Sequence, residues 1–199
     1  MLVHHLYSGG KDSSLAAWML TRLGYDVELV TVSFGLLDNW RFARETAEKL
    51  GFDHKILYLP REMLEKAAEM AMEEGHPNNA IQFIHERALE ALASLPEVER
   101  VSDGTRRDDR VPILDLPKAR SLEDRFNVAY IRPLLGLGYK TIKELTERLF
   151  VIEMGESEHL EKGDYEVELR HLLREKGIDP LEIFPKSHYQ SRVMGWKGL

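Results

Sequence analysis

The chain has 199 residues, of which 43% are hydrophobic and 31% charged, a composition typical of a compact globular domain rather than of a disordered or fibrous protein. Acidic residues outnumber basic ones by 34 to 27, and the resulting net charge of −7 disfavours general attraction to nucleic acid. There is no cysteine, so a catalytic thiol, a persulfide carrier, a thiolate zinc site and a disulfide framework are excluded.

Neither a membrane span nor a secretory signal is predicted. No apolar run approaches the roughly 20 residues that are needed to cross a bilayer. The start of the chain, Met1 to His5, lacks the basic residues and the long apolar segment of a secretory signal. We therefore expect a cytoplasmic protein.

Glutamine is scarce whereas Glu, Lys and Arg are abundant, which favours a thermophilic source.

Strands and helices are predicted to alternate over the first 150 residues. The strands are predicted at residues 2–7, 27–34, 54–59, 98–102 and 128–132. The helices are predicted at residues 12–23, 38–50, 60–74, 80–95, 121–126 and 140–149, with caps at Asp12 or Ser13, at Asp38 and at Ser121. Because this alternation favours parallel pairing, we expect an α/β fold with a five-stranded parallel sheet between two layers of helices.

The pattern changes after Phe150. Residues 155–163 are charged and turn-like, and Asp164 is predicted to cap a helix that reaches about residue 176. Residues 186–199 contain bases and aromatic side chains but no acid. We therefore predict a core domain over residues 1–150 and a C-terminal extension over residues 151–199, made of a helix and a basic tail. This tail could contact RNA, fold back over the nucleotide site or form a homodimer contact.

The loop between the first strand and the first helix consists of Ser8, Gly9, Gly10, Lys11, Asp12, Ser13 and Ser14. Its two glycines allow a sharp turn with closely spaced backbone N–H groups, and the helix directs its positive end to the same place. The serine hydroxyls and the lysine add further donors. This combination predicts a phosphate or pyrophosphate site. The Walker P-loop does not fit, because it needs four residues between the glycines and a Ser or Thr after the lysine.

This loop resembles the PP-loop of the N-type ATP pyrophosphatases, which include GMP synthetase, NAD synthetase, asparagine synthetase, tRNA-lysidine synthetase and 7-cyano-7-deazaguanine synthase. The resemblance implies a three-layer, Rossmann-like fold of the adenine nucleotide alpha-hydrolase type. It also implies cleavage of ATP between its α and β phosphates. A substrate oxygen then receives AMP, pyrophosphate leaves, and a nitrogen or sulfur nucleophile displaces AMP.

Two further segments support the resemblance. The sequence after the fourth predicted strand, Asp103 to Asp109, reads DGTRRDD and is similar to the DGTNxDD motif of several members. The sequence Arg132-Pro133-Leu134-Leu135, followed by Lys140 and Ile142, is similar to the segment after the last core strand of the deazaguanine and lysidine enzymes. The resemblance therefore extends over about residues 2–150.

The resemblance implies a role for each matched residue. The expected catalytic residues are Lys11, Asp12, Ser13, Asp108 and Asp109. Mg²⁺ is expected at Asp12 and Asp108, with Asp109 as the alternative to Asp108. The expected contacts of ATP are Ser8, Gly9, Gly10, Lys11, Asp12, Ser13, Ser14, Val32, Ser33, Phe34, Asp103, Gly104, Thr105 and Arg132.

We predict an ATP-dependent ligase or adenylyltransferase that forms AMP and pyrophosphate and activates a substrate oxygen for attack by nitrogen. Without cysteine, the chain cannot itself supply the sulfur relay, the iron–sulfur cluster or the zinc site of some members. The acceptor, a small molecule or tRNA, stays open. The alternatives are a non-catalytic ATP-binding module similar to the universal stress proteins, and a synthetase subunit that needs a partner.

The histidines lack metal-binding spacing and are predicted to be structural or exposed; they are His4, His5, His54, His76 and His85.

Overall fold

A five-stranded parallel sheet forms the centre of the computed structural model, which describes residues 1–198. Its strands are β1 (Leu2–Leu6), β2 (Asp26–Ser33), β3 (Asp53–Tyr58), β4 (Arg100–Ser102) and β5 (Ala129–Ile131). The strand order is β3-β2-β1-β4-β5, so that the winding of the chain reverses between β1 and β4. In sheets of this kind, ligands bind beyond the carboxyl ends of the strands at the reversal point.

Helices cover both faces of the sheet, which confirms the predicted α/β fold. They are α1 (Lys11–Arg22), α2 (Trp40–Leu50), α3 (Arg61–Glu74), α4 (Asn78–Ala93), α5 (Leu116–Phe126), α6 (Tyr139–Leu149) and α7 (Tyr165–Glu175). In α4, the buried residues Ile84, Ala88 and Leu92 recur every four positions and form one apolar face. Within the described part of the chain, no helix combines the length and hydrophobicity that a membrane crossing requires.

The C-terminal residues form two strands that the sequence analysis did not predict. β6 (Phe150–Glu156) and β7 (Tyr189–Trp196) pair antiparallel in a separate two-stranded sheet. The assignments of residues 155–163 to a turn and of residues 186–199 to a tail were therefore wrong in part. Polar side chains interrupt the apolar pattern of both strands, and their pairing joins distant residues such as Phe150 and Trp196. Leu199, the end of the predicted tail, lies outside the described residues.

Three predicted helix starts also differ from the structure. α1 begins at Lys11 with Gly10 at the N-cap, so neither Asp12 nor Ser13 is the cap. α2 has Asn39 rather than Asp38 at its N-cap. α5 begins at Leu116, well before Ser121, because the Asp115 carboxylate accepts the Lys118 N–H at 2.8 Å and the next residues are Leu and Pro. Aspartate followed by proline at the first turn is a helix-start signal that outweighed the later serine.

Candidate functional site

A cavity of about 340 Å³ lies at the carboxyl ends of β1, β2 and β4. One wall is apolar and consists of Leu6, Val30 and Val32 from the sheet. Residues of α4, the segment after β4, the N-terminal turn of α7 and the segment from Phe184 to Gln190 form the other walls. The cavity therefore occupies the reversal point of the sheet, where a ligand is expected in this fold.

The loop that leads from β1 into α1 borders this cavity. Gly9 has a φ of +80°, and a Cβ at this position would lie 3.3 Å from the Cα of Ala43, so both the conformation and the close approach favour glycine. The Ser13 hydroxyl donates to the Gly10 carbonyl at 3.1 Å, and it lies 3.3 Å from the Ser8 hydroxyl. Two hydroxyls thus lie beside the start of α1, where the helix dipole favours an anion.

The segment after β4 packs directly on this helix start. A Cβ on Gly104 would lie 2.8 Å from the backbone nitrogen of Ser13 and 2.9 Å from its Cα, so only glycine permits the contact. Thr105 donates its N–H and its hydroxyl to the Asp103 carboxylate, at 3.0 and 2.7 Å. The first and second sequence motifs therefore meet at one edge of the sheet.

Asp103 connects this segment to a histidine in the cavity wall. His85 Nε2 lies 2.8 Å from Asp103 Oδ2, and the Tyr130 hydroxyl donates to the same oxygen at 2.5 Å. Burial by itself raises the pKa of Asp103, but the hydrogen bonds from His85, Tyr130 and Thr105 outweigh it and hold the pKa below its ordinary value. The Tyr165 hydroxyl lies 3.3 Å from His85 Nδ1. Both His85 and Tyr165 line the cavity, a position that no spacing in the sequence indicated for His85.

Arg106 is surrounded by three of the predicted acidic site residues. Its guanidinium nitrogens lie 3.3 Å from the Asp12 carboxylate, 3.1 Å from Asp108 and 2.8 Å from Asp109. The Lys11 ammonium also pairs with Asp12, at 2.9 Å. Two cations of the same two motifs thus compensate part of the negative charge of the three carboxylates. Sequence reasoning missed Arg106 because it stands where the motif has asparagine.

The predicted catalytic residues divide into two groups by position. Asp12, Ser13 and Asp109 are among the described residues that line the cavity, whereas Lys11 and Asp108 are not. The Asp108 side chain is 45% exposed and accepts the N–H of Tyr139, which lowers its pKa. Burial raises the pKa of Asp109. The two neighbouring aspartates therefore occupy different environments.

The carboxylates are of the chemical type that binds a magnesium ion shared with a nucleotide. Such an ion usually has one or two carboxylate ligands, with phosphate and water oxygens completing its coordination. Asp12 and Asp109 line the cavity, whereas Asp108 is not among the described lining residues. The oxygens of Asp12 and Asp109 pair with Lys11 and Arg106 in this structure. The expectation of Mg²⁺ at Asp12 and Asp108 stays a prediction. Within residues 1–198, no group of three or more His, Asp or Glu side chains is arranged to hold a metal alone.

The end of β2 differs most from the expectation. Of Val32, Ser33 and Phe34, which were predicted to contact adenine, Val32 alone is among the described cavity residues. The buried carboxylate of Glu168 in α7 accepts the N–H groups of Phe34 and Leu36, both at 2.9 Å. The Phe34 N–H is therefore occupied within the protein. The sequence could not reveal this contact, since Glu168 is 134 residues from Phe34.

Two other predicted ATP contacts have partners within the protein instead. The buried Ser14 hydroxyl lies 3.0 Å from the hydroxyl of Tyr7. Arg132 donates to the Leu114 carbonyl at 2.6 Å, and its guanidinium lies 5.1 Å from the centre of the Tyr130 ring. Neither Ser14 nor Arg132 is among the described residues that line the cavity. Both support the walls rather than face the space between them.

This chain is similar to proteins of known sequence and structure. The family of unknown function DUF7411 matches residues 1–195. An uncharacterized protein of Methanocaldococcus jannaschii is 48% identical over 197 residues, which are 99% of this chain and 97% of that protein. A crystal structure from the same organism, described as a "predicted subunit of tRNA methyltransferase", is 47% identical and has a TM-score of 0.91 over 100% of both chains.

The U34-tRNA thiolase NcsA from Methanococcus maripaludis, solved with its 4Fe-4S cluster, has a lower similarity. Its TM-score is 0.54 at 20% identity, over 74% of this chain and 56% of NcsA. This likeness shows a shared fold. The family match and the two relatives at 47–48% identity extend over nearly the whole sequence. The chain therefore belongs to the family of unknown function DUF7411.

Proposed function

We propose that this protein binds ATP in the cavity and cleaves it between the α and β phosphates. A substrate oxygen attacks the α phosphorus, pyrophosphate leaves, and a nitrogen nucleophile then displaces AMP from the adenylate. The observation that carries the proposal is the loop from Ser8 to Ser13, which enters α1 beside the cavity with Gly104 in contact with Ser13. The resemblance of this loop to the PP-loop supports the same reaction.

In this proposal, the phosphate chain lies along the start of α1. The Ser8 and Ser13 hydroxyls bind it with the backbone N–H groups, and Lys11 neutralises the charge that develops on the leaving pyrophosphate. Asp12 and Asp109 are the residues that would hold Mg²⁺, which neutralises phosphate charge when bound. The apolar wall of the cavity is suited to the adenine ring. The protein therefore acts by positioning and by charge, and no covalent intermediate with the chain is needed.

The displacement of AMP releases a proton from the nitrogen nucleophile. His85, one of the described residues of the cavity wall, is the base that we propose for this proton. The Asp103 carboxylate holds Nε2 as the protonated nitrogen, so Nδ1 accepts from the Tyr165 hydroxyl in this structure. In the proposed step, Nδ1 exchanges this hydrogen bond for the proton of the nucleophile. The same division of roles between a carboxylate and an imidazole occurs in general-base catalysis by other enzymes.

We propose tRNA or one of its nucleobases as the acceptor, because the relative at 47% identity is described as a predicted subunit of a tRNA methyltransferase. The same description favours a second candidate function. In that candidate the chain is a subunit that binds ATP but turns it over only with a partner protein.

Incubation with Mg²⁺ and α-labelled ATP, with and without pooled tRNA, tests the proposal. AMP and pyrophosphate are the expected products, and stimulation by tRNA would identify the acceptor class. Binding of ATP without AMP formation would favour the partner-dependent subunit or a non-catalytic module. ADP as the main product would contradict cleavage between the α and β phosphates.

The double substitution Lys11→Ala/Ser13→Ala should abolish pyrophosphate release, because it removes a charge and a hydroxyl from the phosphate loop. We expect a loss of at least about 100-fold, in the range seen when single preorganised donors are removed from other active sites. Pyrophosphate release is measured with a coupled assay, and circular dichroism checks the fold. The matched control is Lys49→Ala/Ser94→Ala, which alters the same residue types at exposed positions. Turnover by the loop variant at the control's rate would refute the assignment.

A further inference from the structure

The C-terminal strand β7 contacts the candidate phosphate loop directly. The N–H of Lys11, the first residue of α1, donates to the Ser191 hydroxyl oxygen at 3.2 Å. The N–H of Val193 donates to the Gly9 carbonyl at 2.9 Å. A Cβ on Gly10 would lie 3.4 Å from the Ser191 carbonyl, so the strand runs at van der Waals distance from the loop. Ser191 is not among the described residues that line the cavity, but its neighbour Gln190 is. The Ser191 hydroxyl therefore lies against the first turn of α1, next to the cavity wall.

Strand β7 is anchored immediately after Ser191, through Arg192 and Val193. The buried side chain of Arg192 pairs with Glu45 at 2.7 Å and with Glu161 at 3.3 Å. The Thr46 hydroxyl, in α2, donates to the Val193 carbonyl at 3.0 Å. These contacts fix the strand to α2 and hold the Ser191 hydroxyl at the start of α1.

The chemistry of this hydroxyl suits a phosphate oxygen. A serine hydroxyl has one proton to donate besides the lone pairs with which it accepts. Within residues 1–198, Ser191 Oγ accepts the Lys11 N–H and donates to no protein group. Its proton is thus available at a helix start that also carries the Ser8 and Ser13 hydroxyls. Hydrogen bonds from hydroxyls to charged phosphate oxygens are among the stronger ones in proteins.

We infer that Ser191 is a phosphate-binding residue, and that β7 completes the loop formed by Ser8 to Ser13. The Ser191 hydroxyl accepts the Lys11 N–H and donates to an oxygen of the phosphate chain of ATP. The inference rests on the proposed function, since it assigns the phosphates to this loop. It adds a donor that lies outside the motif by which the loop is recognised.

Calorimetric titration of the whole chain tests this role with three ligands: the α,β-methylene analogue of ATP with Mg²⁺, inorganic pyrophosphate, and adenosine. Ser191→Ala should weaken binding of the ATP analogue and of pyrophosphate about 10-fold or more, the usual effect of losing one hydrogen bond to a charged group. Binding of adenosine should not change, because it has no phosphate. Ser191→Thr should restore binding, and Ser187→Ala is the control on an exposed serine of the same extension.

The outcomes separate this inference from the proposed function. If the wild-type protein binds the ATP analogue and pyrophosphate, and Ser191→Ala binds them equally well, the inference is overturned while the proposed function stands. If Ser191→Ala weakens adenosine binding to the same degree, Ser191 shapes the cavity only, and the inference is again overturned. If the wild-type protein binds neither the analogue nor pyrophosphate, both proposals are overturned.

Discussion

His5 is buried on β1 between the two motifs of the candidate site. Its Nε2 lies 3.0 Å from the Ser13 carbonyl and its Nδ1 lies 3.1 Å from the Ser102 hydroxyl. The carbonyl can only accept, so Nε2 carries the proton and Nδ1 accepts from Ser102. Burial lowers the pKa of His5 from 6.5 to about 4, and the ring is neutral in the folded protein near pH 7. The prediction of a structural role for His5 is consistent with these contacts.

Stability should therefore fall on acidification. Between pH 6.5 and about 4, the unfolded chain binds a proton at His5 that the folded chain does not, so the free energy of unfolding decreases as the pH decreases. The contribution of His5 is on the order of 3 kcal/mol at most, from about 1.4 kcal/mol for each unit of pKa. His5→Gln should reduce the difference between the unfolding free energies measured in urea at pH 7 and pH 4.5.

The matched control is His159→Gln, which makes the same substitution at an exposed position. Burial also lowers the pKa of His54 to about 4. His5→Gln should therefore remove only part of the pH dependence of the unfolding free energy. If the unfolding free energies at pH 7 and pH 4.5 differ as much in His5→Gln as in the wild type, His5 does not contribute to the pH dependence.

The sequence indicated candidate site residues where several of them are adjacent in the chain and form a motif. The loop from Ser8 to Ser13 and the segment from Asp103 to Asp109 are each continuous in sequence. Each of these residues therefore belongs to a recognisable local motif. His85 and Glu168 are single polar residues on otherwise ordinary helices. Their partners are brought to them by the fold, so no local pattern could indicate them.

At the scale of elements, the contact between α1 and the segment after β4 holds the two motifs together. β1 and β4 are neighbours in the sheet, with His5 opposite Ser102, so that the loops after both strands emerge side by side. The sequence predicted both strands and both loops. It could not predict that these two strands are adjacent, because β4 is the fourth strand in the chain and pairing order depends on how the helices pack.

Gly104→Ala tests this contact. The added Cβ would lie within 3.0 Å of the Ser13 backbone, which cannot yield without moving the start of α1. We expect a loss of about 1–3 kcal/mol in the free energy of unfolding, as for other overpacked sites, together with weaker ATP binding. Urea denaturation and calorimetric titration measure the two effects.

Gly136→Ala is the matched control, because a Cβ there would meet no atom within 4 Å and its φ is not in the left-handed region. Its stability should stay within about 0.5 kcal/mol of the wild type. A Gly104→Ala protein that resembles this control in both measurements would contradict the close packing of the two motifs.

At the scale of the whole molecule, α7 connects the C-terminal extension to the core. The buried side chains of Leu169, Leu172 and Leu173 belong to the same hydrophobic cluster as Leu64 of α3 and Ile84 of α4. The division after residue 150 stays a prediction. A shared hydrophobic cluster nevertheless indicates that the two parts unfold together.

Glu168→Gln should destabilise the protein as a whole. The substitution removes the charge from a fully buried carboxylate that accepts the N–H groups of Phe34 and Leu36. We expect a loss of about 1.5–3 kcal/mol in the free energy of unfolding, typical of hydrogen bonds to charged groups, in a single transition. Urea denaturation followed by both circular dichroism and tryptophan fluorescence measures it. In a Trp18→Phe/Trp40→Phe background, Trp196 in β7 is the single tryptophan and reports on the extension.

The control on the same helix is Glu175→Gln, whose carboxylate forms an exposed ion pair with Arg61 at 3.3 Å. Such pairs contribute about 0–1 kcal/mol. Two separate transitions in the wild type or in Glu168→Gln would show that the extension unfolds by itself.

The sequence alone determined the class of fold and predicted the candidate phosphate loop, because both depend on local patterns. Hydrophobic periodicity marks strands and helices within about ten residues, and the glycines, serines and lysine of the loop are contiguous. Only the tertiary structure decided which groups face the cavity and which are occupied elsewhere. In the tertiary structure, His85 lies beside Asp103, the Phe34 N–H donates to Glu168, and Ser191 lies at the start of α1. These contacts join residues that are distant in the chain, so they depend on how whole helices and strands pack.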